Sequence, residues 1–232
     1  MKLSIIIPVY NEENTIKEIL HKIENISDIK KQIIIVDDSS EDNSYDIIKN
    51  FNFISEFKII KHEFNLGKGA CIKSAKSYVT GDIVIIQDAD LEYDPNDYNN
   101  IIRPIIENKE MIVYGSRVLN KKRYKEGNFI SIFRIFSNHV LTLLTNLLYF
   151  QKLTDAHTCY KALKVEIFNK INLKENDFSF CPEITAKISK LGYKIFEVPV
   201  SYFGRDYNQG KKISFYDGIK AIIVLIKYRI FR

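Results

Sequence analysis

The chain has 232 residues, 46% hydrophobic and 27% charged, with a formal net charge of +5. That balance is globular, with enough chain for a real core, and it excludes a disordered tail or a small disulfide-stapled peptide. Cys71, Cys159 and Cys181 lie far apart with no metal-type spacing, so free thiols in a reducing compartment are expected.

Met1-Lys2-Leu3-Ser4 and the short apolar run after it lack the length and cleavage site of a signal peptide. Leu3 to Val9 reads as a strand, and Asn14 or Thr15 as the cap of a helix running to about Ile26. Gln32 to Val36 is a second strand, Asp42 to Asn50 a helix, and Phe57 to Lys61 a third strand. Gly67 to Ser77 reads as helix, Asp82 to Gln87 as strand, and Pro95 suits the first turn of another helix. Met111 to Tyr114 is a further strand. Strands alternating with helices imply βαβ units and a mostly parallel sheet, with the polar clusters after the strands on one rim.

The second half reads differently. Phe129 to Phe150 is long and apolar, but Arg134, Asn138 and His139 interrupt it, which is unlike a membrane-spanning helix. Lys194 to Val200 reads as a late strand, Gly204 to Lys212 as a polar loop, and Ile219 to Phe231 as an apolar stretch with basic residues. No repeat or interdomain linker is visible. One domain over 1–232 is expected, divided into halves at 117/118.

Asp88-Ala89-Asp90 is the most informative motif. It follows the buried-strand run Ile83 to Ile86, at the carboxyl end, where open α/β sheets bind ligands. Two carboxylates there can share a hard divalent cation, whose remaining ligands are commonly phosphate oxygens. Alone the motif is weak, because Asp commonly caps turns. Its weight comes from the other strand ends: Pro8-Val9-Tyr10-Asn11-Glu12-Glu13, Asp37-Asp38-Ser39-Ser40 and Asn65-Leu66-Gly67-Lys68-Gly69.

With these segments, and with Gly115-Ser116-Arg117, Thr154-Asp155, Thr158-Cys159-Tyr160-Lys161 and Gly210-Lys211-Lys212-Ile213, the chain resembles the family 2 inverting glycosyltransferases of the GT-A fold, nearest the dolichyl-phosphate mannose synthase-like branch. The resemblance covers nearly the whole chain. It implies a Rossmann-like, mostly parallel sheet with amphipathic interface helices in the second half, and a nucleotide-sugar-binding half over 1–117 before an acceptor-binding half over 118–232. It further implies that Pro8, Tyr10 and Glu12 border the base and ribose, with Asp38 and, less firmly, Asp37 accepting hydrogen bonds from them. Lys68 would offer charge to a phosphate, with its flanking glycines letting backbone approach the ligand. Asp88, Ala89 and Asp90 would meet the diphosphate, and Asp88, Asp90 and Glu92 would hold Mg²⁺ or Mn²⁺.

On the acceptor side, an alcohol needs a general base and a phosphate does not. Asp155 is the candidate base for an alcohol; its alternative role is structural, orienting the loop at 158–161. Arg117 matches the family's phosphate-binding arginine, and Arg205, Lys211 and Lys212 its late basic loop. The implied reaction transfers a hexose from a UDP- or GDP-linked donor to a lipid-linked acceptor, with polyprenyl phosphate ahead of a hydroxyl on a glycolipid, diacylglycerol or surface glycan. The implied setting is cell-envelope glycan synthesis by a protein peripheral on the inner face of the cell membrane, with Lys121, Lys122, Arg123 and Lys125 near anionic lipid. A receiver domain, a basic nucleic-acid-binding module and a sugar-nucleotide pyrophosphorylase rank below this reading. The first has its aspartate pair after a different strand, the second lacks a recognition motif, and the third opens with a Gly-rich loop.

Overall fold

Each of the first five apolar runs forms a strand: β1 (Leu3–Val9), β2 (Lys31–Asp37), β3 (Glu56–Lys61), β4 (Ile83–Ile86) and β5 (Ile112–Ser116). The structure is a computed structural model and describes residues 1–119, 129–204 and 215–231. The basic positions Lys121, Lys122, Arg123, Lys125, Arg205, Lys211 and Lys212 lie outside the described residues. Helices α1 (Ile16–Glu24), α2 (Ser44–Lys49), α3 (Lys68–Lys76) and α4 (Tyr98–Ile106) connect these strands, and a 3₁₀ turn at Pro95–Asp97 leads into α4. Helix α1 buries Ile16, Ile19, Leu20 and Ile23, the spacing of one helical face. Thr15 stands at its N-cap position, but its hydroxyl donates to Glu12 Oε2 at 2.9 Å and makes no cap bond.

The second half contributes α5 (Phe129–Tyr149), β6 (Lys161–Lys164), α6 (Val165–Lys170), α7 (Phe180–Lys190), β7 (Phe196–Pro199) and α8 (Phe215–Ile230). Strand β6 and helix α6 are absent from the sequence reading. The sheet runs β3-β2-β1-β4-β6-β5-β7. All strands are parallel except β6, which is antiparallel to β4 and β5 on either side. Strands β1, β2, β4 and β5 are buried almost throughout, as β-branched runs in a sheet covered on both faces should be. The edge strand β3 is largely exposed and carries Lys58 and Lys61, which discourage pairing with another chain.

This topology sets the cleft. From β1 the chain steps outward through β2 and β3, then returns to the other side of β1 as β4. The carboxyl ends of β1 and β4 therefore form the switch point where such sheets bind ligands. Ile6 accepts the Gln87 amide on the β4 side at 2.9 Å. Pro8, two residues on, faces the same side beyond the end of β4 and has no N–H to leave unpaired.

Helix α5 packs against α7 and α8 through a second apolar cluster of Tyr149, Ala186, Val224, Leu225 and Tyr228. Its other face exposes Phe136, Val140, Leu143, Leu147 and Phe150, with Leu147 73% exposed. Helix α8 exposes Ile219, Ile222, Ile223, Ile226 and Ile230 beside Lys220, Lys227 and Arg229. No described helix is long and apolar enough to cross a membrane.

Candidate active site

The loops after β1, β2 and β4 meet at the switch point. Five described non-glycine residues have left-handed φ, and three of them sit on these loops: Asn11 (51°), Ser39 (63°) and Leu91 (60°). Each costs of order 1–3 kcal/mol, and such strain clusters at functional sites. Side chains hold the first two loops together. The Asn11 amide donates to Ser40 Oγ at 3.0 Å, the Glu12 amide to Ser44 Oγ at 2.7 Å, and the Glu41 amide to Asn11 Oδ1 at 2.8 Å. Tyr10 is half-buried and Glu12 nearly buried within this pair of loops.

Asp37 and Asp38 have different surroundings. Asp38 accepts the Leu66 amide at 2.9 Å and the Gly67 amide at 2.7 Å, and lies 2.6 Å from His62 Nδ1. Asp37 accepts the Ser40 amide at 3.2 Å through Oδ2, while its buried Oδ1 has no hydrogen-bond partner. Asp37 Oδ1 is thus the unsatisfied acceptor of the pair, and Asp38 braces the turn that enters α3. Asp38, His62 and Cys71 also form the one cluster of three metal-type donors within 4.8 Å among the described residues. His62 Nε2 already bonds Ser74 Oγ at 2.9 Å, and burial pushes the Cys71 thiol up, so the cluster is a hydrogen-bonded brace.

The glycines of Gly67-Lys68-Gly69 admit a neighbouring loop of the protein itself. A Cβ on Gly67 would lie 2.6 Å from Asn176 O, and one on Gly69 2.5 Å from Glu175 O, so both positions admit the loop before α7. That loop hangs on Glu183, a wholly buried first-turn acid of α7 that accepts the Lys174 and Glu175 amides at 2.7 and 2.8 Å. Gly69→Ala is expected to cost about 1–3 kcal/mol by overpacking and lower the melting temperature by roughly 2–12 °C. Gly218→Ala meets nothing within 4 Å and should be neutral or stabilising by up to about 1 kcal/mol. Equal melting temperatures for the two variants would contradict this packing.

Beyond β4, Ala89 is buried between the half-buried Asp88 and Asp90, so both carboxylates remain on the cleft side. Asp90 Oδ1 accepts the Glu92 amide at 3.1 Å, and Glu92 Oε2 accepts the Tyr202 hydroxyl at 2.8 Å. Asp88 is ion-paired to Lys68, whose Nζ also lies 3.6 Å from Cys159 Sγ. Burial works against the Lys68 ammonium, but Asp88 outweighs it and the net shift is upward. Buried Gln87 supports the strand end: its carbonyl takes the Tyr98 and Tyr160 hydroxyls at 2.6 and 2.7 Å, and its amide donates to Asp88 O at 2.9 Å. Asp88 and Asp90 are an all-oxygen donor pair, which suits a hard cation such as Mg²⁺ or Mn²⁺.

Strand β5 ends at Arg117, which grips Asp155 in two parallel contacts, Nε to Oδ2 at 2.6 Å and Nη2 to Oδ1 at 2.7 Å. Burial alone would raise the Asp155 pKa; the Arg117 guanidinium outweighs it and holds the carboxyl below its ordinary range. The guanidinium also lies over the Tyr202 ring, 5.1 Å from its centroid, which links this pair to Glu92. Glu197 on β7 escaped the sequence reading. It accepts the Thr154 amide at 2.7 Å, the Thr154 hydroxyl at 2.8 Å and the Asp155 amide at 2.9 Å. An acid flanked by Phe196 and Val198 in a strand was the available signal. His157 lines the loop after Asp155, with its Nε2 buried and without a hydrogen-bond partner.

A mostly parallel sheet with paired carboxylates beyond β4 at its switch point is the architecture of a GT-A fold. The chain superposes on glucosyl-3-phosphoglycerate synthase from Mycobacterium tuberculosis, crystallised with Mg²⁺ and uridine diphosphate, with a TM-score of 0.73 and 16% identity over all of this chain and 80% of that one. Residues 4–171 match the model of glycosyl transferase family 2. The chain belongs to that family and is a glycosyltransferase. A UDP-N-acetylglucosamine–dolichyl-phosphate N-acetylglucosaminyltransferase from Methanococcus voltae is 31% identical over 96% of this chain and 94% of its own length. A dolichol-phosphate mannosyltransferase from Pyrococcus furiosus is 26% identical over 91% of this chain and 59% of its own.

Proposed function

We propose that this glycosyltransferase moves a hexose from a nucleoside diphosphate sugar to a lipid-linked phosphate, with inversion at the anomeric carbon. The carrying observation is the Arg117–Asp155 pair. A carboxylate gripped by two guanidinium bonds and held below its ordinary pKa is a poor general base. A phosphate acceptor is already ionised near pH 7 and needs no base. Arg117 uses Nε and Nη2 on Asp155, and Nη1 remains to meet an anion. The relatives named for dolichyl phosphate support this acceptor class.

In this reading the 1–117 half holds the donor and the 118–232 half the acceptor. Pro8, Tyr10, Glu12 and Asp37 border the nucleoside, with Asp38 fixing the Leu66–Gly67 turn beside it. Asp88 and Asp90, with Glu92 behind them, hold Mg²⁺ or Mn²⁺, which when bound supplies a Lewis acid for the departing diphosphate. Glucosyl-3-phosphoglycerate synthase crystallised with Mn²⁺ and uridine diphosphate supports that metal and a uridine donor. The donor test is thermal unfolding with UDP, GDP or CMP, each with and without Mn²⁺. One diphosphate at about 100 times its dissociation constant should add roughly 2.7 kcal/mol, and more with metal. Equal inertness to all three nucleotides would overturn the donor site.

The apolar stripes of α5 and α8 face outward beside basic residues, which suits helices lying in the headgroup plane of an anionic bilayer. Free thiols suit its reducing, cytoplasmic side. The chain should co-sediment with anionic vesicles at low salt, and recovery of all of it in the supernatant would overturn peripheral attachment.

A further inference from the structure

Lys68 stands where a divalent cation is expected to act. Its ammonium pairs with Asp88, and the two side chains are only 15% and 22% exposed, so solvent screens their attraction weakly. The Phe178 and Phe180 rings flank the ammonium at 5.9 and 5.8 Å. The backbone beneath it is fixed from both sides. Asp38 takes the Leu66 and Gly67 amides, and the Ala70 amide donates to Asn176 O at 2.9 Å. The glycines leave no room between this turn and the 175–176 backbone. Any motion of the charge must therefore be a swing of the lysine stem, which is flexible and ends in a point charge.

We propose that Lys68 is an internal counter-ion for Asp88 which a divalent cation must displace, and that a nucleoside diphosphate helps by drawing the ammonium onto its own phosphates. This rests on the donor-site reading above. An ammonium bonded to Asp88 occupies a lone pair that a metal needs, and it repels an arriving dication. A diphosphate reverses both effects by offering the ammonium a richer anion. Nucleotide then binds before or with the metal, and each raises the affinity for the other by the same factor.

The test is Mn²⁺ binding to the full chain, followed by the loss of the free-ion electron paramagnetic resonance signal, with no nucleotide present. Lys68→Met should bind Mn²⁺ about tenfold tighter or more, because one repelling charge and one competing bond are gone. Lys68→Arg keeps the charge and should bind as weakly as wild type. Lys68→Met should also bind UDP more weakly in EDTA, since a phosphate partner is lost. Lys68→Gln repeats the neutral test should the Met variant misfold. Unchanged or weaker Mn²⁺ affinity in the neutral variants, with UDP-dependent Mn²⁺ binding intact in wild type, would overturn the counter-ion alone. Failure of wild type to bind Mn²⁺ together with either UDP or GDP would overturn the donor site, and the counter-ion with it.

Discussion

Asp90→Asn is expected to lower kcat about a thousandfold, corresponding to about 4 kcal/mol of barrier. A Lewis acid on the leaving diphosphate supplies several kcal/mol of charge stabilisation, and an amide oxygen is a much poorer ligand for a hard cation than a carboxylate. The substitution keeps one local contact. Asp90 Oδ1 serves the protein by accepting the Glu92 amide, which an asparagine carbonyl can also do. The assay is transfer from the nucleotide sugar selected by thermal stabilisation to dolichyl phosphate, across a range of Mn²⁺ concentrations. Near-wild-type, metal-dependent turnover would remove Asp90 from the metal site.

Arg117→Met should act chiefly on stability. It strands Asp155, which is 4% exposed, as a buried charge without its partner. Breaking a buried pair from one side costs about 3–5 kcal/mol, or roughly 6–20 °C in melting temperature at this chain length. The pH dependence has a definite sign. The folded Asp155 pKa lies below the unfolded one. The pair's stabilisation is therefore complete above the unfolded value of about 3.9 and is lost as pH falls through the lower folded value. Wild type should lose more stability than Arg117→Met between pH 5 and the acid limit, to be measured by urea unfolding at each pH. Parallel curves would remove the pair from the stability account. Asp155→Asn separates the acceptor classes: transfer to a lipid phosphate should survive, whereas loss of transfer in a folded variant would restore Asp155 as a base for an alcohol.

The first five strands were legible because buried parallel strands are continuous apolar runs with polar residues at their ends, as in Ile33 to Val36 before Asp37. Strand β6 was not legible. It has four residues, begins and ends in lysine, and buries Lys161 so that its ammonium donates to Ala156 O and Thr158 O. The extent of helix α7 was hidden by Pro182 and by an interior face that includes two polar residues, Glu183, bonded to the preceding loop, and Thr185, bonded to Tyr114. The site divides along the same line. Residues that follow a strand can be placed locally, so Asp37, Asp38, Asp88 and Asp90 could be put at strand ends, while the roles expected of them and of Arg117 came with the family resemblance. Pairings were not readable. Arg117 and Asp155 are 38 residues apart, and Asp88 and Lys68 are 20 apart, so only the sheet order brings them together. The packing of the Gly-Lys-Gly segment on residues 175–176 was not readable, because close approach of backbone leaves the same glycine signature whether the neighbour is a ligand or another loop.

Strand β6 also constrains how the protein can be made. During synthesis β1 to β4 emerge from the ribosome together, but the far side of β4 stays unpaired until Lys161–Lys164 follows about 80 residues later. At about 5–20 residues per second, that leaves an all-aliphatic Ile-Val-Ile-Ile edge open for roughly 4–16 s. Nascent chains stalled before residue 160 should recruit chaperones or aggregate, and the full-length chain should not.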